Sequence, residues 1–166
     1  MITLGSARSS YGNQSRGDQK QTEKRDTKGE VSYQDFYEHT KGWYILRAKS
    51  NVVGHELAMA MRRACKNKMV GYSQQDRYSI IGKGTNSEHP VNCDCSSLVR
   101  QCIIEAASKD PGDFNTANEV NVLQKTGLFS PTITYNRSTD IYNGDILVTK
   151  SKGHTAIVVG GALRRL

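Results

Sequence analysis

The spacing of hydrophobic residues changes twice along this chain. From Gly5 to Glu30 apolar side chains are nearly absent, and small polar and basic residues dominate. From Ser50 onwards apolar residues recur every three or four positions, the period of an amphipathic helix. The last third contains short runs rich in β-branched residues, which are typical of strands. The pattern predicts a polar N-terminal arm over residues 1–40, either flexible or laid over the domain as a strap, and a folded domain over residues 41–166.

Three longer helices are predicted in the domain. The first begins at Ser50 and ends near Met69, and the second begins at about Cys95. The third follows a Thr-x-x-Glu capping pattern at residues 116–119 and ends near Gly127. Residues 31–39 and 73–81 each predict one or two short helical turns.

Two strong strand candidates, residues 145–149 and 155–159, are joined by a short turn that suits an antiparallel hairpin. Residues 43–46 and 132–135 are weaker candidates. Helices followed by a small antiparallel sheet predict an α+β fold.

Composition and charge narrow the classes of function. The 166 residues, 36% of them hydrophobic, suit one domain with a real core. No apolar run approaches the length of a membrane span, and the first residues lack the pattern of a secretory signal. The net charge of +7 favours an anionic partner. Because the basic residues are scattered and no RNA-binding or zinc-finger pattern is present, we predict no nucleic-acid binding. We also expect a monomer.

The four cysteines are predicted to be mostly free thiols, because they are too few for a disulfide scaffold. Cys65 and Cys102 lie on apolar helix faces and are assigned to the core. Cys95 differs, because a thiol at a helix N-terminus becomes a thiolate more readily and is then nucleophilic. Cys93, in the preceding loop, is predicted to be a bystander.

A nucleophilic cysteine needs a base, and His154 is the best candidate of the four histidines because it opens an apolar strand. The alternative is a metal site that uses Cys93, Cys95, His89 and Cys102. That spacing matches the paired knuckles of structural zinc sites poorly. We therefore predict no metal and no cofactor.

Three short motifs resemble one enzyme family. They are DCSSLV at residues 94–99, GDILV at 144–148 with GHTAIVV at 153–159, and YSQQDR at 72–77. Together they resemble the nucleophile, histidine-strand and upstream tyrosine motifs of the NlpC-type cell-wall cysteine peptidases, in the phage-lysin branch. The resemblance covers about residues 53–161 and implies a papain-like fold.

The resemblance implies that Cys95 attacks an amide in the peptide stem of peptidoglycan and that His154 is the general base and then the acid. Tyr72, with Tyr78 as the alternative, would help to form the oxyanion pocket. Asp94 and Ser96 are predicted to support the nucleophile.

Two substrate contacts are predicted beside the nucleophile. One is Ser97, and the other is Arg77, which either pairs with a carboxylate of the wall peptide or forms a structural salt bridge. Asp145 is expected to orient the strand turn.

The family's third catalytic residue has no counterpart after His154, since Gly160 to Leu166 offers no carboxamide, carboxylate or imidazole. Either the chain is part of a longer lysin or another residue orients His154. Three readings stay open: an amidase or endopeptidase, an acyl-transferring relative, and an inactive wall-binding protein. All three act at the bacterial wall, where anionic polymers would attract the basic chain, and the protein would be made in the cytoplasm.

Overall fold

The computed structural model describes residues 1–8 and 29–164. Within these ranges the elements, in chain order, are β1 (Thr3–Ala7), β2 (Val31–Asp35), β3 (Trp43–Leu46), α1 (Asn51–Lys66), β4 (Val70–Tyr72), β5 (Val91–Cys93), α2 (Cys95–Ala107), α3 (Glu119–Gln124), β6 (Ile133–Thr134), β7 (Ile146–Thr149) and β8 (Thr155–Gly160).

An antiparallel sheet of six strands, in the order β2-β1-β8-β7-β3-β6, forms the centre of the domain. Alternate side chains of its central strands face opposite ways, as the pleat of a strand requires. One face packs against α1 and α2 through Leu57, Met61, Leu98 and Ile157. The other face carries a smaller apolar cluster around Trp43. The protein is therefore a mixed α/β structure with a mostly antiparallel sheet.

β4 and β5 form a separate parallel pair in which Tyr72 lies opposite Cys93. Since α2 begins two residues after Cys93, this pairing brings the Tyr72 strand alongside the start of α2. The sequence pattern did not predict either strand.

The two described ends of the predicted polar arm, residues 1–40, contain strands. β1 lies inside the sheet between β2 and β8, and its Leu4 is buried. β2 replaces the helical turn expected from residue 31. The rest of the predicted arm, residues 9–28, lies outside the described residues. A domain boundary at residue 40 would therefore cut through one sheet, because β1 pairs with β8.

Two other local predictions differ from the structure. Residues 73–81 form turns, although the Ser73 hydroxyl does accept a hydrogen bond from the Asp76 N–H, at 3.1 Å. α3 begins at Glu119 without a side-chain cap, so Thr116 and Glu119 are not a capping box. Among the described residues, no helix has the length and hydropathy needed to cross a membrane.

The start of β7 is fixed by side-chain and backbone contacts. Asp145 accepts the Tyr142 N–H at 2.9 Å and accepts two hydrogen bonds from Nε and Nη2 of Arg47, at 2.9 and 2.8 Å. Gly144 has a φ of +94° and lies directly against the backbone of Gly54 in α1. The β7 turn can therefore approach α1 only with glycine at position 144.

Gly144→Ala should lower the free energy of unfolding by more than about 3 kcal/mol, because the new Cβ meets the Gly54 carbonyl and the φ is left-handed. Gly82→Ala is the matched control, since Gly82 has a φ of +82° but open space around it. It should lose only about 1 kcal/mol in urea unfolding. Equal losses for the two variants would contradict the close approach at Gly144.

Candidate active site

The predicted helix start at Cys95 is confirmed, and a complete capping box between Asp94 and Ser97 stabilises it. The Asp94 carboxylate accepts the Ser97 N–H at 2.8 Å, and the Ser97 hydroxyl accepts the Asp94 N–H at 2.9 Å. Two orphan donors of the first turn are thereby satisfied. Cys95 follows the cap directly, so its position is fixed by local contacts.

The second oxygen of Asp94 accepts hydrogen bonds from Arg77 Nε at 2.6 Å and from Gln74 Nε2 at 3.3 Å. The other N–H groups of Arg77 point to Ser96 Oγ, the Phe114 carbonyl, the Tyr78 hydroxyl and Asp113. A guanidinium has five N–H donors, and all five are used. The prediction that Arg77 binds a substrate carboxylate is therefore not supported, and the structure favours its alternative, a structural salt bridge.

Ser96 and Ser97 are both buried, and both hydroxyl groups take part in the hydrogen-bond network around Asp94. Ser96 Oγ accepts from Arg77 at 2.7 Å and donates to Asp94 at 3.3 Å, which fits its predicted supporting role. Ser97 serves the cap and is 1% exposed. The hydroxyl of Ser97 faces the helix cap, so the structure does not support the predicted substrate contact at this residue.

Tyr72 lies beside this network and is 2% exposed. Its hydroxyl donates to Gln74 Oε1 at 3.1 Å, and Gln74 in turn donates to Asp94. Tyr72 is thus connected to the start of α2 through one side chain. The alternative residue, Tyr78, is half exposed and donates to Asp113 at 2.8 Å, away from the helix start.

The Cys95 thiol is buried, with the residue 8% exposed. Its sulfur accepts hydrogen bonds from the backbone N–H groups of Thr155 and Ser96, which favour the thiolate. Burial outweighs them and, together with the charges of Asp94 and Glu119, raises the pKa of Cys95 well above its ordinary value. Burial therefore opposes the easy ionisation that is expected for a thiol at a helix N-terminus and favours a neutral thiol.

His154 immediately precedes β8 and is 1% exposed. Its backbone N–H donates to Thr149 Oγ1 at 3.0 Å, and its carbonyl accepts the Thr149 N–H at 3.0 Å. Neither ring nitrogen has a hydrogen-bond partner among the described residues, including the Cys95 sulfur. Burial, followed by repulsion from His39 and Arg8, lowers the pKa of His154 to about 3, so the imidazole is neutral at pH 7.

Sequence reasoning missed two residues that hold the His154 segment. Thr116 Oγ1 accepts the Gly153 N–H at 2.9 Å, and Glu119 Oε2 lies 2.7 Å from Thr155 Oγ1. Both belong to the Thr-x-x-Glu pattern that predicted a helix cap. The pattern marked the right residues, but their partners lie at the start of β8.

Cys93 is fully buried, and its thiol donates to the Gly71 carbonyl across the β4–β5 pair at 3.4 Å. All four cysteines are free thiols. Within the described ranges, no three His, Cys, Asp or Glu side chains are grouped so that they could hold a metal ion. The alternative metal site at Cys93, Cys95, His89 and Cys102 therefore has no geometric support.

A polar groove of about 410 Å³ runs beside the His154 segment. Thr116 and Thr149 belong both to this groove and to the contacts that hold Gly153 and His154. Asn121 and Lys150 add an amide and a positive charge to its wall. An extended polar chain with a carboxylate would find hydrogen-bond partners there.

The chain belongs to the endolysin-like domain family, whose family model matches residues 8–163. No curated protein and no solved structure matches it. Membership of this family indicates a lytic function directed at the bacterial cell wall, and it agrees with the endolysin part of the resemblance seen in the sequence.

Arg77→Lys should lower the free energy of unfolding by about 2–4 kcal/mol, because a lysine cannot replace five donors around a buried carboxylate. Arg100→Lys is the control, since Arg100 forms a similar two-bond pair with Asp110, which is half exposed. That variant should lose less than about 1 kcal/mol. A larger loss for Arg100→Lys than for Arg77→Lys in urea unfolding would contradict the structural role of Arg77.

Iodoacetamide should modify Cys65 first, because Cys65 is partly exposed and the other three thiols are buried. Intact-mass spectrometry of native protein should show one early adduct, which Cys65→Ser removes. Preferential modification of Cys95 at about pH 6 would show that its pKa is lowered and not raised.

Proposed function

We propose that this protein is an NlpC-type cysteine hydrolase with a papain-like arrangement of α2 and the antiparallel sheet, and that it cleaves an amide in the peptide stem of peptidoglycan. The observation that carries the proposal is the contact between α2 and β8. The sulfur of Cys95 accepts the N–H of Thr155, and Thr155 is the neighbour of His154. The thiol at the start of α2 therefore lies against the strand that directly follows His154.

Acylation begins from a neutral pair, a thiol and an imidazole. His154 takes the Cys95 proton while the sulfur electron pair forms a bond to the substrate carbonyl carbon. The C–N bond then breaks, and His154 gives the proton to the leaving amine. Because burial disfavours the thiolate, proton transfer accompanies the attack and does not precede it.

Deacylation returns the protein to its starting state. His154 takes a proton from water, the hydroxide oxygen bonds to the thioester carbon, and the C–S bond breaks as Cys95 regains its proton. The backbone N–H of Cys95, at the first turn of α2, is a suitable donor to the oxyanion. Tyr72 is the proposed second donor, and its hydroxyl would exchange Gln74 for the oxyanion.

The groove beside Thr116 and Thr149 is the proposed binding site for the stem peptide, with Lys150 near a peptide carboxylate. The net charge of +7 would draw the protein to anionic wall polymers, and this attraction would weaken with salt. Amidase, endopeptidase and acyl-transfer reactions all use this machinery, and the new chain ends of the products would distinguish them.

An inactive wall-binding protein is the second candidate. The raised pKa of Cys95, and the lack of a hydrogen bond between Cys95 and His154 within the described residues, favour it. Such a protein would bind walls without releasing fragments.

Purified peptidoglycan should release peptide-bearing fragments with the wild type, and mass spectrometry of their new ends should name the bond. Cys95→Ala and His154→Ala should each reduce release by about 1,000-fold or more. Cys93→Ala is the matched control and should keep most of the activity, because its thiol only contacts Gly71. Undiminished release by folded Cys95→Ala would refute the proposal, and wall binding without release would establish the second candidate.

A further inference from the structure

Two residues at and just before the start of α3 hold the two neighbours of His154. Thr116 bonds the backbone of Gly153 and Glu119 bonds the side chain of Thr155. On the other side, Thr149 bonds the backbone of His154 itself. The segment around the imidazole is therefore held by the turn before α3, by the first residue of α3 and by the last residue of β7.

Glu119 is the unusual member of this set, because its carboxyl group is completely buried. No lysine or arginine of the described residues pairs with it, and its Oε1 has no hydrogen-bond partner there. The nearby charged side chain that acts on it is Asp94, which has the same sign. A buried carboxylate without a counter-charge is strongly unfavourable.

The hydrogen bonds of Thr155 show where the proton lies. Its single hydroxyl lies 2.7 Å from Glu119 Oε2 and 2.8 Å from the Leu147 carbonyl oxygen. A hydroxyl carries one proton, and a backbone carbonyl can only accept. Both short contacts are favourable only if Thr155 donates to Leu147 and Glu119 donates to Thr155. This arrangement requires Glu119 to be a neutral carboxylic acid.

We propose that Glu119 is a positioning residue, a protonated carboxyl group that fixes the start of β8 and thereby sets His154 relative to Cys95. The inference rests on the proposed function and deepens it, because it names a residue of α3 that holds the strand after His154. Burial raises the pKa of Glu119 to about 8, with the charge of Asp94 adding to it and the Thr155 hydrogen bond opposing it.

Ionisation of Glu119 would have two effects at the junction. Glu119 would stop donating to Thr155, and a second negative charge would join Asp94 near the Cys95 sulfur. The titratable groups coupled to it are Asp94 and Cys95 at the start of α2. Since His154 titrates near pH 3 and Cys95 far above neutrality, an activity loss near pH 8 would report Glu119.

The first experiment compares pH profiles of fragment release for the wild type, Glu119→Gln and Glu119→Ala. The wild type should lose activity above about pH 8. Glu119→Gln, whose amide also donates to Thr155 but does not ionise, should extend activity to higher pH. Glu119→Ala should be at least about tenfold slower than Glu119→Gln at pH 7. An unchanged alkaline limb in Glu119→Gln, or equal losses in both folded variants, would overturn the proposal.

The second experiment needs no activity and measures urea unfolding of the wild type and Glu119→Gln from about pH 5 to 8. The folded pKa of Glu119 lies above its ordinary 4.5, so its stabilising contribution should fall as the pH rises towards 8. The wild type should therefore lose stability relative to Glu119→Gln over this range. The exposed-carboxylate control, Glu88→Gln, should show a constant difference. A constant difference for Glu119→Gln would mean that Glu119 is ionised in the fold, which overturns the inference even if no wall fragment is ever released.

Discussion

The buried carboxylate of Asp94 is the interaction on which the site depends. It caps α2 through Ser97, binds the guanidinium of Arg77 and accepts a bond from Gln74. Removing either Arg77 or Asp94 would leave the charge of the other buried without compensation, which costs several kcal/mol. The same carboxylate lies close to the Cys95 sulfur and opposes the thiolate. Asp94, which fixes the position of the Cys95 thiol, therefore also favours its protonated form. A base is needed before the sulfur can react.

At His154 the backbone is held by hydrogen bonds but the imidazole ring is not. Thr149, Thr116 and Glu119 hold its backbone or its neighbours, while both ring nitrogens lack partners among the described residues. A buried polar ring without a hydrogen bond costs about 1–3 kcal/mol. Folding alone does not explain why a protein would keep such a ring. A substrate or a reacting thiol would supply the missing partner.

The sequence predicted those parts of the site that depend on local contacts. The start of α2 follows from the Asp94 cap and the apolar period after it, and the β7–β8 hairpin follows from two β-branched runs. It did not predict β1, because Thr3–Ala7 is stabilised by pairing with β2 and β8, which are distant in the chain. It also assigned Thr116 and Glu119 to a helix cap, since their true partners, Gly153 and Thr155, are not visible from local spacing. The high pKa of Cys95 was missed because burial, which outweighs the helix N-terminus, is a property of the assembled fold.

Three buried ionisable side chains near the starts of α2, α3 and β8 lack a partner of opposite charge, and each of them is neutral at pH 7. Cys95 is a thiol, His154 is an uncharged imidazole and Glu119 is a carboxylic acid, each because burial penalises its ionised form. The ion pair of Arg77 with Asp94 carries the charge there. In such surroundings a new charge is stabilised only by groups that already point at it, such as the N–H groups of Thr155 and Ser96 at the Cys95 sulfur. In the proposed reaction the charges would develop on the substrate oxyanion and on the His154 imidazole and disappear again within one step, and the rigid backbone around His154 would keep the proposed base aligned during that step.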